Sequence, residues 1–336
     1  MKIAVVILNW NGKELLEKFL PSVTSYSPNA TIYVADNASS DTSIEFVKEN
    51  YPAVKIIQNT SNGGFAKGYN DALTHVDEDI FCLLNSDIEV TENWLLPIEE
   101  AFKNNPEVAI LQPKILDYKN KEYFEYAGAA GGFIDRLGYP FCRGRIFQTL
   151  EKDRGQYNDE KEIFWATGAC MFIKKEVFTS LGGFDEDYFA HQEEIDLCWR
   201  AQNNNYKILY VGASKVYHVG GATLGNMNPK KTFLNFRNSL FSITKNLPKR
   251  KVFPLIIARL FLDGIAGVRF LFQLKFLHLF AIIKAHFSYY YYFVRIFKKR
   301  GTINKDIKYF ECTSVVLSYF LKQKRFYYEI VNQHTS

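Results

Sequence analysis

The sequence predicts an α/β protein with a mostly parallel central sheet flanked by helices, followed by a helical, aromatic-rich C-terminal extension. Three observations carry this expectation. Residues 3 to 115 alternate short apolar runs with amphipathic stretches, the pattern of β-α-β units. Several of the apolar runs end in Asn-, Asp- or Gly-rich turns that would fall on one sheet edge. The 336 residues are 47% hydrophobic and 16% aromatic, enough for a large core and incompatible with disorder.

The first strand is expected over Ile3–Leu8, with Asn9-Trp10-Asn11-Gly12 as its turn and a helix from Lys13 to Ser25. That opening run is too short for a signal peptide and reads as a buried strand. The second strand, Thr31–Ala35, ends in Asp36-Asn37-Ala38-Ser39-Ser40-Asp41. A helix over Thr42–Asn50 and a strand over Val54–Gln58 follow. Asn62-Gly63-Gly64-Phe65-Ala66-Lys67-Gly68-Tyr69-Asn70 then opens a helix toward Val76. Its glycines would let backbone approach a ligand closely, although loop punctuation alone would also explain them. It lacks both G-x-G-x-x-G and Gly-Lys-Ser/Thr, which disfavours a dinucleotide site and an NTPase. The fourth strand, Phe81–Leu84, runs into Asn85-Ser86-Asp87. A carboxylate at such a strand tip suits a divalent cation, and the cation suits a diphosphate; a turn-forming Asp is the ordinary alternative.

Residues 116 to 162 read as a loop-rich insertion over the sheet edge, with Gly-rich Ala127–Gly132 and charged Glu151–Glu162, of a length that is usually functional or mobile. Ala166–Ile173 reads as a buried strand, Lys175–Leu181 as a helix and Gly182–Phe189 as a turn. His191–Arg200 enters a helix running to about Gln202, where Glu193 and Glu194 also suit a first helical turn. Lys207–Val211 and a segment ending Val216-Tyr217-His218-Val219-Gly220-Gly221 read as two further strands.

Together these blocks resemble the nucleotide-sugar half of glycosyltransferase family 2, a GT-A fold. The resemblance implies an inverting glycosyltransferase that uses a UDP- or dTDP-sugar and Mn²⁺ or Mg²⁺. It implies that Asp36 contacts the base, and that Asn9, Asn11, Asn37, Asn62, Gly63, Gly64, Lys67, Asn70, Asn85 and Ser86 line the donor site. Asp87 corresponds to the last carboxylate of the family's D-x-D metal motif, completed by His218; Asn85 stands at the motif's first position. Gly182–Arg200 resembles the family's G-G-F-D-E-x-F-F-x-x-x-E-D-x-D-L-x-x-R block. Glu194 falls at the general base, where the family has Asp, with Glu193, Asp196 and Trp165 on the acceptor side. The family's Q-x-x-R-W motif of processive synthases is missing, which implies a single addition to a glycan or lipid-linked glycan in surface polysaccharide synthesis. Rhamnose from dTDP-rhamnose, or galactose, glucose or N-acetylglucosamine from UDP, all remain open as donors.

Two other functions are weighed. A sugar-phosphate nucleotidyltransferase would need an Arg/Lys-bearing glycine loop after the first strand, which Asn9–Gly12 does not supply. A non-catalytic nucleotide-sugar-binding module would fit the departures at Asn85 and Glu194. A net charge of +5 gives no argument for nucleic acid. Five cysteines without a C-x-x-C pair suggest neither zinc nor a disulfide framework, hence a reducing, cytoplasmic setting.

The division is expected at residue 230, with a glycosyltransferase domain before it and a helical region over 231–336. Lys230–Asn246 reads as one helix, in which Arg237 could reach a diphosphate or simply meet solvent. Residues 252–297 are apolar and aromatic, but Arg259, Asp263, Arg269, Lys275 and Lys284 interrupt every membrane-spanning window. At 100° per residue, Arg259, Asp263, Arg269, Gln273 and Lys284 share an arc of about 120°. That one-sided pattern predicts helices lying in a membrane interface, with Lys298-Lys299-Arg300 on anionic headgroups at the inner face of the cytoplasmic membrane. A bundle packed on the catalytic domain, or a homodimer surface, is the alternative.

Overall fold

The computed structural model describes residues 1–220, 228–304 and 307–331. Gly221, assigned above to a strand-ending turn, lies outside them. The strands are β1 Ile3–Asn9, β2 Thr31–Asp36, β3 Lys55–Gln58, β4 Ile80–Asn85, β5 Ile88–Val90, β6 Val108–Asp117, β7 Gly132–Ile134, β8 Pro140–Cys142, β9 Arg145–Ile146, β10 Thr149–Leu150, β11 Glu160–Glu162, β12 Cys170–Lys174 and β13 Lys207–His218. The helices are α1 Lys13–Tyr26, α2 Ser43–Asn50, α3 Gly64–Leu73, α4 Leu96–Asn104, α5 Lys175–Ser180, α6 Glu193–Asn203, α7 Pro229–Asn246, α8 Lys249–Phe272, α9 Phe276–Lys298, α10 Val315–Phe320 and α11 Tyr327–Val331.

The main sheet runs β11-β13-β6-β12-β4-β1-β2-β3, with β5 beside β13. The β3-β2-β1-β4 half is parallel, as the β-α-β pattern requires. Beyond β4 the sheet is mixed, because β12 pairs antiparallel with both β4 and β6. The expectation of a mostly parallel sheet therefore holds for the first half and is corrected for the second. Continuous apolar runs such as Ile80–Leu84 are buried on both faces, under α1, α2 and α4 on one side and α3 and α5–α7 on the other.

Two strand boundaries also differ from the sequence reading. Ala166–Ala169 is not strand; it carries the chain over the sheet edge, where a Cβ on Gly168 would meet the Phe65 ring at 2.8 Å. The two strands expected near residues 207 and 218 are one, β13, with a register shift between Val211 and Lys215. There Gly212 lies against the Tyr157 carbonyl, 2.5 Å from where a Cβ would sit, and the bend re-aims the strand's end beside β5. Residues 132–150, expected as loop, form a second four-stranded sheet of short strands.

The buried core is continuous across residue 230, joining Trp199 and Tyr210 with Leu240, Phe241, Tyr289, Tyr309 and Tyr327. Helices α8 and α9 pair antiparallel through Phe253 and Phe293 at one end and Phe270 and His278 at the other. Their orientation reverses the expectation. Arg259 and Asp263, assigned above to a headgroup-facing arc, are 1% and 0% exposed and point into the protein. Arg259 Nε donates to Asp263 Oδ1 (3.2 Å) and its NH1 to Ser239 Oγ (2.7 Å). Tyr139 Oη donates to Asp263 Oδ1 (2.6 Å), while His286 Nε2 lies 3.1 Å from Oδ2. Burying a charge requires partners, and the body of the protein supplies them. Arg269 and Lys284 stay exposed but lean back over the Phe320 and Phe233 rings. No described helix is long and apolar enough to cross a membrane.

Candidate active site

The carboxyl ends of β1, β2 and β4 are neighbours, with Asn9 opposite Asp36 and Leu8 opposite Asn85. The turns beyond them converge, which is why polar residues punctuate these strands. Asn9 is buried; its Nδ2 donates to Ser43 Oγ (2.9 Å), Asp36 Oδ1 (3.3 Å) and Ser39 Oγ (3.3 Å). Its Oδ1 is buried without a partner among the described residues. Asp36 Oδ2 accepts from the Ser39 amide at 3.0 Å. Asn11, at a left-handed φ of 49°, accepts from the Ser40 amide at 2.7 Å and so ties the first turn to the second.

The glycine-rich loop is organised differently from the expectation. Asn37 Nδ2 donates to Asn62 Oδ1 (2.9 Å) and to the Gly64 carbonyl (3.2 Å), and its Oδ1 accepts from Asn59 (3.2 Å). Asn37 and Asn62 are thus spent on each other and on the loop. The glycines serve close approach of protein to protein rather than to a ligand. A Cβ on Gly64 (φ +80°) would sit 2.6 Å from the Phe189 carbonyl, one on Gly63 2.6 Å from the Lys67 stem, and one on Gly68 3.0 Å from Asn37 and Leu8. Lys67 pairs with Asp71 one turn along α3 (2.9 Å). Asn70 donates to the Phe184 carbonyl and accepts from its amide, both at 2.9 Å, stitching α3 to the 182–185 turn.

Beyond β4, Asn85-Ser86-Asp87 turns toward β5, and the Val219 amide donates to the Asp87 carbonyl (3.1 Å). This brings the end of β13 alongside. His218 Nε2 lies 3.1 Å from Asp87 Oδ1 and 3.5 Å from Asn85 Nδ2, and its Nδ1 faces Glu125 Oε2 at 3.4 Å. All three carboxyl and imidazole groups are nearly buried. Burial alone would lower the His218 pKa, but Glu125 and Asp87 outweigh it and hold it at about 10. Gly220, at φ +69°, leaves the room Glu125 needs; a Cβ there would be 2.7 Å from Oε1.

Asp87 and His218 supply donor types that a divalent cation takes, a carboxylate oxygen and an imidazole nitrogen. At 3.1 Å they are ion-paired with each other, and the imidazolium would have to release its proton before Nε2 could bind a cation. Glu125 sits behind the imidazole, its Oε2 3.4 Å from Nδ1, a charge contact without a hydrogen bond in this structure. Among the described residues no group of three or more His, Cys, Asp or Glu converges to hold a metal ion.

The second cluster is the start of α6. His191 and Gln192 both adopt left-handed φ (68° and 72°), an unusual pair for non-glycine residues that swings the chain into the helix. Asn238 of α7 fixes this turn, donating to the carbonyls of Tyr188 (3.1 Å), Ala190 (3.0 Å) and His191 (2.7 Å). Arg237, rather than meeting solvent, donates to the carbonyls of Asp187 and Tyr188. Glu193 is buried and Glu194 partly so, and an oxygen of each is buried without a partner among the described residues. The helix N-terminus favours their ionised form, yet desolvation wins. Burial raises Glu194 to about 7, and burial together with Glu194 raises Glu193 well above the usual carboxylate range. Burial, helped by Lys231, pushes the neighbouring His191 down to about 4.

Two expected acceptor-side residues lie elsewhere. Asp196, two positions beyond Glu194 and hence on the far side of the helix, is fully buried. It pairs with Lys245 (2.8 Å) and Arg200 (2.8 Å) and accepts from Asn246 Nδ2 (2.9 Å). Burial pushes its carboxyl up, but Lys245 and Arg200 outweigh that and hold it below the ordinary range. Trp165 is core, its ring flat beneath Gly132 and its Nε1 donating to the Phe133 carbonyl at 2.9 Å. Both residues brace the site from below.

Sequence reasoning missed Glu125, Tyr126, Arg145 and Lys231. They come from the stretch read as insertion and from the first turn of α7, and nothing in their local pattern marks them. The Arg145 guanidinium stacks 4.3 Å from the Tyr126 ring, with Lys231 Nζ 5.9 Å from the same ring. Arg145 Nε is buried without a partner among the described residues. Burial raises the Cys142 thiol, with smaller contributions from Glu125 and Glu194.

A sheet with this strand-tip cleft is a GT-A fold, and the chain is a glycosyltransferase. The Glycosyl transferase family 2 model matches residues 4–182, and the chain belongs to that family. It is 24% identical over 232 residues to the N-acetylglucosaminyl-diphospho-decaprenol L-rhamnosyltransferase of Mycobacterium tuberculosis, covering 64% of this chain and 75% of that protein. Two solved structures share its fold. GalNAc-T7, solved with UDP, GalNAc and Mn²⁺, has a TM-score of 0.57 at 18% identity, covering 75% of this chain and 49% of that one. The mannosyltransferase PcManGT of Pyrobaculum calidifontis, with GDP-Man and Mn²⁺, has a TM-score of 0.54 at 14% identity over 86% and 87%.

Proposed function

We propose that the chain moves one sugar from a nucleoside-diphosphate sugar, UDP- or dTDP-linked, to a hydroxyl of a lipid-linked glycan, with inversion. The observation that carries this reading is Glu194, a carboxylate with a pKa raised to about 7 by burial and one oxygen unpartnered among the described residues. A group poised near neutrality can take a proton from an acceptor hydroxyl and keep it. With Glu194 as base, the acceptor hydroxyl attacks the anomeric carbon directly as the nucleoside diphosphate leaves from the opposite face, and this single displacement inverts the centre.

Asp87 and His218 would hold Mn²⁺ or Mg²⁺, which when bound stabilises charge on the leaving diphosphate. Glu125 keeps the His218 ring aimed; Asp36, braced by Asn9, accepts from base or ribose. Asp87 and His218 alone would hold a cation only weakly, and tighter binding would need the nucleotide's diphosphate beside them. The mycobacterial relative, a rhamnosyltransferase named for its N-acetylglucosaminyl-diphospho-decaprenol acceptor, supports a lipid-linked acceptor, and with it work at the cytoplasmic membrane face.

The test is a thermal-shift panel of UDP, dTDP and GDP with and without Mn²⁺, followed by release of the nucleoside diphosphate from the matching sugar donors with an acceptor extract. Stabilisation by one nucleotide plus Mn²⁺, and release that Glu194→Gln abolishes, is expected. Tight nucleotide binding without turnover would instead favour a binding module.

A further inference from the structure

We propose that the α8–α9 hairpin docks the protein on an anionic lipid bilayer through its outward face, with the basic base of the hairpin at the headgroups and its tip deepest. The proposal deepens the lipid-linked acceptor reading and rests on it for its purpose, though its geometry is independent.

The hairpin is amphipathic in the reverse of the usual sense. Its buried polar side chains face the protein: Arg259, Asp263 and His286 join Tyr139 and Ser239, His278 Nδ1 meets Thr232 Oγ1 (2.8 Å), and Tyr289 Oη meets Thr244 Oγ1 (2.8 Å), while Arg269 and Lys284 lie exposed over the Phe320 and Phe233 rings. Its outward side is apolar, with Phe261, Phe272 and Phe287 exposed at 70%, 83% and 73%. Most of the large apolar side chains exposed among the described residues lie on this one element. At 24 and 23 residues, helices of this length reach about 35 Å. A continuous apolar surface that long exceeds what a monomer in water normally shows.

What covers it follows from the grading along the hairpin. At the base, where Lys249 stacks on Phe297 (5.7 Å), α8 begins with exposed Lys249, Arg250 and Lys251, and α9 ends with exposed Lys298. One to two turns further, Tyr290, Tyr291 and Tyr292 are exposed. Toward the tip the exposed residues are mainly Phe272, Leu274, Phe276, Leu277 and Phe280, with Gln273 and a half-buried Lys275 between them. Cations, then amphipathic rings, then aliphatic and phenyl groups is the order met on passing from anionic headgroups into acyl chains. A protein partner would not require that order. Because neither helix can cross a membrane, the docking is from one side.

Flotation of the full chain with vesicles of phosphatidylcholine, alone or mixed with phosphatidylglycerol, tests this. The chain is expected to float with the mixed vesicles and to do so less at high salt. Phe272→Ser/Leu277→Ser/Phe280→Ser should weaken flotation about a hundredfold, and Lys249→Glu/Arg250→Glu/Lys251→Glu at least tenfold. These side chains are exposed, so both variants should keep the parent Tm and donor turnover. Equal flotation by the serine variant and the parent would overturn the proposal. So would a parent that never floats, whether it stays a monomer in light scattering or forms a dimer that the serine variant breaks. Turnover without flotation counts against the hairpin alone; flotation without turnover counts against the transferase reading alone.

Discussion

Glu194→Gln should stabilise the protein at alkaline pH while removing its activity. The ordinary Glu pKa is 4.5, and burial at the start of α6 raises it to about 7. The unfolded chain therefore gives up this proton first. Between pH 4.5 and about 7 the folded form binds more protons, so its stability falls as pH rises, and above about 7 the full cost persists. At about 1.4 kcal/mol per pH unit between the two values, that cost is roughly 3 kcal/mol. Below pH 4.5 Glu and Gln are both neutral and nearly isosteric, so the gap should close. Removing the Glu194 charge also relieves Glu193, whose pKa it helps to raise. The assay is Tm against pH for both proteins. A gap near zero at pH 4 that opens to about 5 °C by pH 8 is expected. Donor turnover should fall by about two to four orders of magnitude, and the parent's turnover should climb with pH through about 7. A Tm gap that does not change with pH, or a variant that still turns over, would refute the argument from burial to base.

Three further outcomes follow from the same geometry. Glu125→Gln should weaken Mn²⁺ binding in the presence of UDP or dTDP by about tenfold or more, read by calorimetry, with nucleotide-free Mn²⁺ binding weak in the parent as well. Lys245→Met removes the ammonium that Asp185 and Asp196 share at 2.7 and 2.8 Å, leaving them Lys299 and Arg200 as charged partners, and should cost about 1–3 kcal/mol in urea unfolding. Asn238→Ala releases the 188–191 turn without touching substrate; kcat should drop more than KM changes, and the pH midpoint near 7 should move as the carboxylates gain water.

The first half of the sheet was legible because a buried parallel strand must be a continuous apolar run with a polar end, and Ile3–Asn9, Thr31–Asp36 and Ile80–Asp87 each are. The later strands were harder. The β13 register shift and the short strands over residues 132–150 depend on partners far away in sequence, which no local period reveals. Among site residues, Asp87 and His218 were marked by strand tips, whereas Glu125 acquires its place only when β6 delivers it behind the imidazole. The polar Asn37, Asn62 and Asn70 were read as reaching for ligand, but the fold consumes them as loop fasteners. Asp196 looked like a neighbour of Glu194 by number and is not one by helix geometry. The arc of Arg259 and Asp263 was found correctly as an arc and assigned to the wrong side, because periodicity shows that two faces differ and not which one meets the protein.

That reversal explains why the C-terminal helices belong to the site and not beside it. Helix α9 packs on α7, where Tyr289 Oη meets Thr244 Oγ1. Helix α7 in turn holds the strained 191–192 entry to α6 through Asn238, and the far side of α6 through Lys245 and Asn246. Lys299, at the end of α9, pairs directly with Asp185 and Asp187 in the turn ahead of α6. The buried entry to α6 that raises the Glu194 pKa is therefore seated by the same helices that carry the outward apolar face. Strain in the backbone at His191 and Gln192, worth about 1–3 kcal/mol each, persists only while that buttress is in place. Breaking it at Asn238 should thus lower activity with the hairpin and its surface unchanged, whereas substituting the outward phenylalanines should leave the Glu194 titration where it is.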